Sequence, residues 1–345
     1  MPIGESLVAE PSLSIVIPVH NGGESFRQCL WSLKQYGAAA SEIIIVVDGG
    51  TDASLQLAQA SGARVIALPT AGGPARARNL GAQLAQGDLL FFMDADVTLQ
   101  ADTLSQVIAI FRDQPKLAAL IGSYDDAPGA TNFLSQYKNL FHHYIHQTGS
   151  ETASTFWGAC GAIRRSVFLE LGGFDEAYRY PSVEDIELGY RLKRAGYSIQ
   201  LCKTVQVKHL KRWEPLSLLR AEVLYRALPW TELLWRDRQF ANDLNLKTSS
   251  RVSLLLTYGL LLTLIAGVGW SGAWIGATGL ALALLLLNLP LYQFFCRKRG
   301  FGFTLQVIPW HWLYFLYGGA AFVVGTGRYH LQQWRRPNQT RVPQV

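Results

Sequence analysis

Apolar positions in the first 125 residues fall into short, nearly unbroken runs separated by stretches of helical period. Leu13–Val19, 43–47, Arg64–Leu68 and Leu89–Met93 are too short for helices and lack the alternation of a strand with one wet face. They predict strands buried on both sides, the pattern of a parallel sheet. Between them, Phe26, Leu30 and Leu33 share one helical face, Leu55 and Ala58 before Gly62 mark a second helix, and 77–84 a third. Strands alternating with helices imply an α/β domain whose ligand site lies at the carboxyl ends of the strands. Residues 126–180 are less regular, with His142, His143 and His146 close together, and read as loops of the kind that often carries acceptor specificity, which the sequence alone does not show here.

The pattern changes after Trp213. From there to Phe240, leucines mix with Arg220, Arg226, Arg236, Arg238 and with Trp213, Trp230 and Trp235, which suits helices lying in a membrane interface. An ordinary domain helix broken at Pro229 is the plainer reading. Residues 252–296 carry no charge, enough for two crossings of about 20 residues each. We expect spans at about 252–269 and 273–295, with a turn at Gly267–Gly272, and a weaker third run at 303–326, interrupted by Gln306, Pro309 and His311. The domains expected are therefore 1–212 (catalytic), 213–250 (interfacial), 251–330 (transmembrane) and 331–345 (basic tail).

Charge sharpens that division. After Asp243 there are nine Lys and Arg and no acid, so the total of +6 divides into +9 for the tail and −3 for the rest. A nucleic-acid binder would carry its basic surface on the folded domain, so the high pI does not imply one. With Lys247, Arg251 and Arg297-Lys298-Arg299 on the cytoplasmic side, the first two spans form a hairpin that satisfies the positive-inside tendency. A third crossing would place Arg328, Arg335 and Arg336 outside, so a re-entrant segment stays open. Met1 to Ser12 has no signal-peptide pattern, which leads us to expect a multi-pass cell-membrane protein with its large domain in the cytoplasm. Cys29, Cys160, Cys202 and Cys296 have no zinc-type spacing.

Polar residues collect at the strand ends. His20 and Asn21 follow the first strand, Asp48 closes the second, and Asp94 and Asp96 follow the fourth. Side chains two apart in an extended segment point the same way, so Asp94 and Asp96 can meet one hard cation, and that cation a diphosphate. Gly72, Gly73, Arg76, Arg78 and Asn79 form a glycine-rich helix entrance able to take phosphate, without the Walker or Gly-x-Gly-x-x-Gly spacing. Glu184 and Asp185 open a later helix. Their plain reading is a capping box of Ser182 with Asp185, and their functional reading is a general base. His209, beside Lys208, Lys211 and Arg212, is a third metal-ligand candidate or a structural histidine.

Taken in order, these motifs resemble the family 2 glycosyltransferases of GT-A fold over the first 215 positions. The resemblance rests on residues 14–21 (Ser-Ile-Val-Ile-Pro-Val-His-Asn), 46–52 around Asp48-Gly49, 73–81 with Ala77-Arg78-Asn79, Asp94-Ala95-Asp96, Gly172-Gly173-Phe174-Asp175 and Glu184-Asp185. It implies a Rossmann-like mixed sheet followed by interfacial helices and a transmembrane anchor. It places a nucleotide-sugar along Pro18, Asn21, Asp48, Arg78, Asp94 and Ala95, with Arg78 near the base or diphosphate. Mg²⁺ or Mn²⁺ would sit on Asp94, Asp96 and His209, and Asp185, with Glu184 beside it, would be the base. His209-Leu210-Lys211-Arg212-Trp213 departs from the Gln-x-x-Arg-Trp of processive synthases, which argues for transfer of a single sugar. The expected reaction is inverting transfer from a UDP-sugar to a lipid, lipid-linked or polyprenyl-phosphate acceptor. The alternatives are a catalytically silent membrane module that recruits a partner and a sugar-phosphate nucleotidyltransferase.

Overall fold

A computed structural model describes residues 10–238 and 246–335. Residues 1–9, the 239–245 part of the interfacial segment and the 336–345 part of the basic tail lie outside the described residues. The chain divides into two compact units, Met1–Pro215 and Leu216–Val345.

In the first unit, β1 (Leu13–Val19), α1 (Gly23–Tyr36), β2 (Glu42–Asp48), α2 (Ser54–Gln59), β3 (Arg64–Leu68), α3 (Pro74–Leu84) and β4 (Leu89–Met93) follow one another as strand and crossover helix. The chain continues through β5 (Val97–Leu99), α4 (Thr103–Asp113), β6 (Ala119–Tyr124), α5 (Phe133–Gln147), β7 (Cys160–Arg164), α6 (Arg165–Glu170), α7 (Glu184–Arg194) and β8 (Ile199–His209). These strands make one eight-stranded sheet in the order β3-β2-β1-β4-β7-β6-β8-β5. β1 pairs in parallel with both β2 and β4, whereas β7 runs antiparallel to β4 and β6, and β5 antiparallel to β8. The sheet is mixed, as the resemblance implies.

Burial explains the strand pattern. Leu13, Ile15, Val16, Ile17, Leu89, Leu90, Phe91 and Phe92 are all fully enclosed, because helices cover both faces. The chain runs β1, β2, β3 outward and then crosses back to place β4 on the other side of β1. That reversal puts the topological switch point at the carboxyl ends of β1 and β4, the usual ligand position in such sheets.

The second unit is helical: α8 (Pro215–Arg220), a π-helical turn (Ala221–Ala227), α9 (Leu228–Asp237), α10 (Thr248–Ala266), α11 (Ala273–Leu287), α12 (Leu289–Arg299) and α13 (Phe301–Arg335). The helical run continues unbroken through Pro229, which follows directly on the π-helical turn Ala221–Ala227. Large apolar side chains such as Leu255, Leu262, Ile265, Trp270 and Ile275 are exposed along α10, α11 and their turn, which suits a lipid solvent rather than water. By length and composition α10 and α13 can each cross a membrane, while α11 and α12 are bent by 64° at their junction. Asn288 marks that bend, its Nδ2 donating to Ser253 Oγ at 2.9 Å.

Candidate active site

The switch point is built from several chain segments. Asn21, just beyond β1, takes a left-handed φ of 50°, a region asparagine tolerates better than most residues. Its Oδ1 accepts from Thr51 N–H at 2.8 Å, tying the exit of β1 to that of β2, while Pro18 lies within β1 opposite Val46. Asp48 is buried, and its two oxygens accept from Gly72 and Gly73 N–H at 2.8 Å each. Gly73 has φ 97°, and a β-carbon there would collide with the Arg179 backbone. Asp48 therefore shapes the glycine turn that opens α3.

From α3, Arg78 reaches into the protein. Its Nη2 donates to Asp94 Oδ1 at 2.6 Å and its Nη1 to Glu184 Oε1 at 2.9 Å, with side-chain exposures of only 6% for Arg78 and 5% for Glu184. The guanidinium lies against Gly158, where an added β-carbon would come within 3.1 Å of Cζ. Arg78 thus joins two acid pairs 90 positions apart in the chain, a role that its local sequence context does not announce.

The pair Asp94-Ala95-Asp96 leaves β4, with Ala95 packed on the core. Asp96 Oδ2 lies 3.6 Å from His209 Nε2, and Leu210 N–H donates to the Asp96 carbonyl at 2.8 Å, holding the turn against the end of β8. Burial raises the Asp96 carboxyl, but His209 and Lys211 outweigh it and hold it at about 2. Asp94 moves the other way: burial raises it, Arg78 opposes the rise, and the Asp96 charge adds to it. His209 is itself buried, with Nδ1 2.6 Å from Asn139 Oδ1 and its ring stacked on Tyr124 at 4.4 Å.

Carboxylates with one imidazole nitrogen are donor types accepted by Mg²⁺ and Mn²⁺. Among the described residues no three His, Cys, Asp or Glu side chains, Asp94, Asp96 and His209 included, stand together so as to hold a metal ion. A cation on this side would need further oxygen ligands, as is common where substrate phosphates complete the shell.

The second acid pair opens α7. Val183 is the N-cap and makes no side-chain capping bond. Glu184 Oε2 accepts from Ser182 N–H at 2.8 Å, which gives Glu184 a link of its own to the start of the helix. Asp185 is instead half-buried, its Oδ2 accepting from Gly158 N–H at 3.1 Å and its Oδ1 from Ile186 N–H at 2.8 Å.

The profile described as "Glycosyl transferase family 2" matches residues 14–172, the stretch that contains β1 to β7 and the first acid pair. The chain carries a family 2 glycosyltransferase domain. It is 28% identical over 218 residues to a pre-mycofactocin glycosyltransferase of Mycobacterium tuberculosis, covering 60% of this chain and 42% of that relative. It is 26% identical over 239 residues to the O-antigen chain rhamnosyltransferase WbaN of Salmonella anatum, covering 64% and 75%. The chain thus spans less than half the length of the mycobacterial relative. Among solved structures it resembles the mannosyltransferase PcManGT of Pyrobaculum calidifontis, in complex with GDP-Man and Mn²⁺, with TM-score 0.62, 15% identity and coverage of 93% and 90%. That likeness shows the GT-A fold.

Within the family 2 domain, sequence reasoning missed four contributors: Asn139, Tyr124, Trp157 and Gly158. His143 and His146 belong to the same assembly, their Nδ1 atoms 2.7 and 2.8 Å from the carbonyls of Tyr124 and Gly122. Trp157 packs edge-on to Tyr124 at 4.7 Å and against His142 at 4.8 Å. The histidine-rich patch read as a loop is therefore a helix packed behind His209. The signal available was the spacing of Asn139, His143 and His146, which lies on one helical face.

Proposed function

We propose that this protein moves a single sugar, with inversion, from a nucleotide-sugar to a lipid or lipid-linked acceptor at the cytoplasmic membrane face. The observation that carries the reading is the Arg78 bridge, 2.6 Å to Asp94 and 2.9 Å to Glu184, which ties the two acid-bearing segments to one guanidinium. Donor chemistry and acceptor chemistry then share one site. Asp96 and His209, with Asp94 beside them, would hold Mg²⁺ or Mn²⁺, which supplies positive charge against the departing diphosphate. The acceptor oxygen attacks the anomeric carbon as the bond to the nucleoside diphosphate breaks, and the leaving group takes the electron pair. With a hydroxyl acceptor the proton passes to the Asp185 carboxylate. An ionised phosphate acceptor would release none.

UDP is the nucleotide we take for the donor, from the family's commonest usage, and GDP is the other to test because the Pyrobaculum mannosyltransferase was solved with GDP-Man. The helices α10 and α13, and the bent pair α11 and α12, support a multi-pass anchor. The test is mass spectrometry of lipid products from full-length protein in membranes, supplied with a panel of labelled sugar nucleotides and Mn²⁺. A new glycolipid that disappears with EDTA and in Asp96→Ala is expected. Turnover that survives both would remove the metal from the reading, and pyrophosphate release from a sugar phosphate and a nucleoside triphosphate would replace the reaction class.

A further inference from the structure

A metal-binding histidine almost always donates its other ring N–H to an oxygen, which settles the tautomer and aims the bare nitrogen at the ion. His209 has that arrangement. Its Nδ1 lies 2.6 Å from Asn139 Oδ1, while its Nε2 faces Asp96 at 3.6 Å, too far for a good hydrogen bond. Tyr124 stacks on the ring with an interplanar angle of 6°, so rotation about the side-chain bond is blocked as well.

Asn139 is not placed there by a loop. It is 1% exposed on α5, and His143 and His146 on the same face bond to β6 carbonyls and hold the helix in register. Its Nδ2 has no hydrogen-bond partner among the described residues. Leaving a buried amide donor unpaired costs stability, so a purely structural position would favour an apolar residue. The oxygen is what the site uses.

We propose that Asn139 is a positioning residue that keeps the His209 proton on Nδ1, leaving Nε2 to donate its electron pair to a divalent cation shared with Asp96 and a nucleoside diphosphate. The inference rests on the metal-dependent reading above, and its test separates the two. In full-length protein labelled with ¹⁵N-histidine and free of metal, two-bond ¹H–¹⁵N correlation reports the tautomer, with His209 signals identified by their loss in His209→Gln. At a pH where the ring is neutral, a protonated Nδ1 and a bare Nε2 are expected. A neutral ring that carries its proton on Nε2 would overturn the proposal.

Mn²⁺ affinity, read by electron paramagnetic resonance with UDP or GDP present, gives the second arm. Asn139→Leu should weaken it by about 10- to 100-fold, the usual cost of losing such a partner. Asn139→Asp keeps an oxygen against Nδ1 and should recover most of the loss. Wild-type affinity in Asn139→Leu would sink this inference alone, whereas a wild-type protein that binds no Mn²⁺ with either nucleotide would sink the metal reading and the inference together. Should Asn139→Leu fail to fold, the tautomer in the wild-type protein still decides.

Discussion

In Asp94-Ala95-Asp96 the two acids part company: Asp94 turns to Arg78 at 2.6 Å, and Asp96 faces His209. In Glu184-Asp185 the division is similar but the partners differ. Glu184 spends one oxygen on Arg78 and the other on Ser182 N–H, while Asp185 is held by the backbone N–H groups of Gly158 and Ile186 and stays half-exposed. Each pair therefore sends one acid to a single buried arginine, Arg78, and the other elsewhere: Asp96 to His209, and Asp185 to the Gly158 and Ile186 N–H groups. Adjacent carboxylates with the same chemistry acquire different roles from what already occupies their oxygens.

The sharpest break of that comparison is Asp185→Asn. If Asp185 is the base and Glu184 is scaffold, transfer to a hydroxyl acceptor should fall by about 10² to 10⁴ in kcat, the usual value of general-base help. The fold should be retained with a loss of no more than about 1–3 kcal/mol, since the amide oxygen can still accept one of the two backbone N–H groups while its NH₂ faces the other. Rates of the purified variant alongside its melting curve would check both halves. Near-full activity would return the base role to another group.

Next in size is Arg78→Met. It leaves Glu184 and Asp94 facing each other without a cation, and Glu184 is only 5% exposed. Removing one partner of a buried ion pair costs about 3–5 kcal/mol. In a domain of this size that corresponds to a fall in melting temperature of roughly 10 °C. Arg78→Lys should not restore it, because one ammonium cannot reproduce a planar fork that reaches two carboxylates. Recovery in the lysine variant would mean that charge alone matters and that the bridge geometry does not.

The two halves of the family 2 domain differ in how readable they are. β1 and β4 stand at the residues their apolar runs predict, because a strand covered on both faces has few polar positions to blur its ends, whereas β3, read as buried, has the predicted bounds but is an edge strand with Arg64 and Ala67 exposed. The DxD pair, Asp48, Arg78 and His209 were legible as residues, but not their partners. Asp48 to Gly72 and Gly73, and Arg78 to Glu184, are contacts between distant segments, and nothing local in either segment encodes the other. In α5 a buried face carrying Asn139, His143 and His146 imitates a solvated one, since pattern reading assigns polar residues to water. Their hydrogen bonds to Asp96's neighbour His209 and to β6 are what make burial tolerable.

The smallest effect, and the one that most directly separates the members of the second pair, is expected from Glu184→Gln. A glutamine in this place keeps one acceptor oxygen, so it can serve Arg78 or Ser182 N–H but not both, and its amide would point N–H at N–H on the other side. The loss of one buried hydrogen bond at a charged partner should lower stability by about 1–3 kcal/mol. The chemical step should change by less than the roughly 10² at which loss of a general base begins to register, because Glu184 is buried and ion-paired with Arg78 whereas Asp185 is the half-exposed member of the pair. Asp94 still holds Arg78 in this variant, so the guanidinium keeps its place beside Gly158. Comparing kcat of Glu184→Gln with that of Asp185→Asn on one acceptor therefore tests the division of labour directly: equal losses would make the two acids a shared unit, and a large loss in Glu184→Gln alone would exchange their roles.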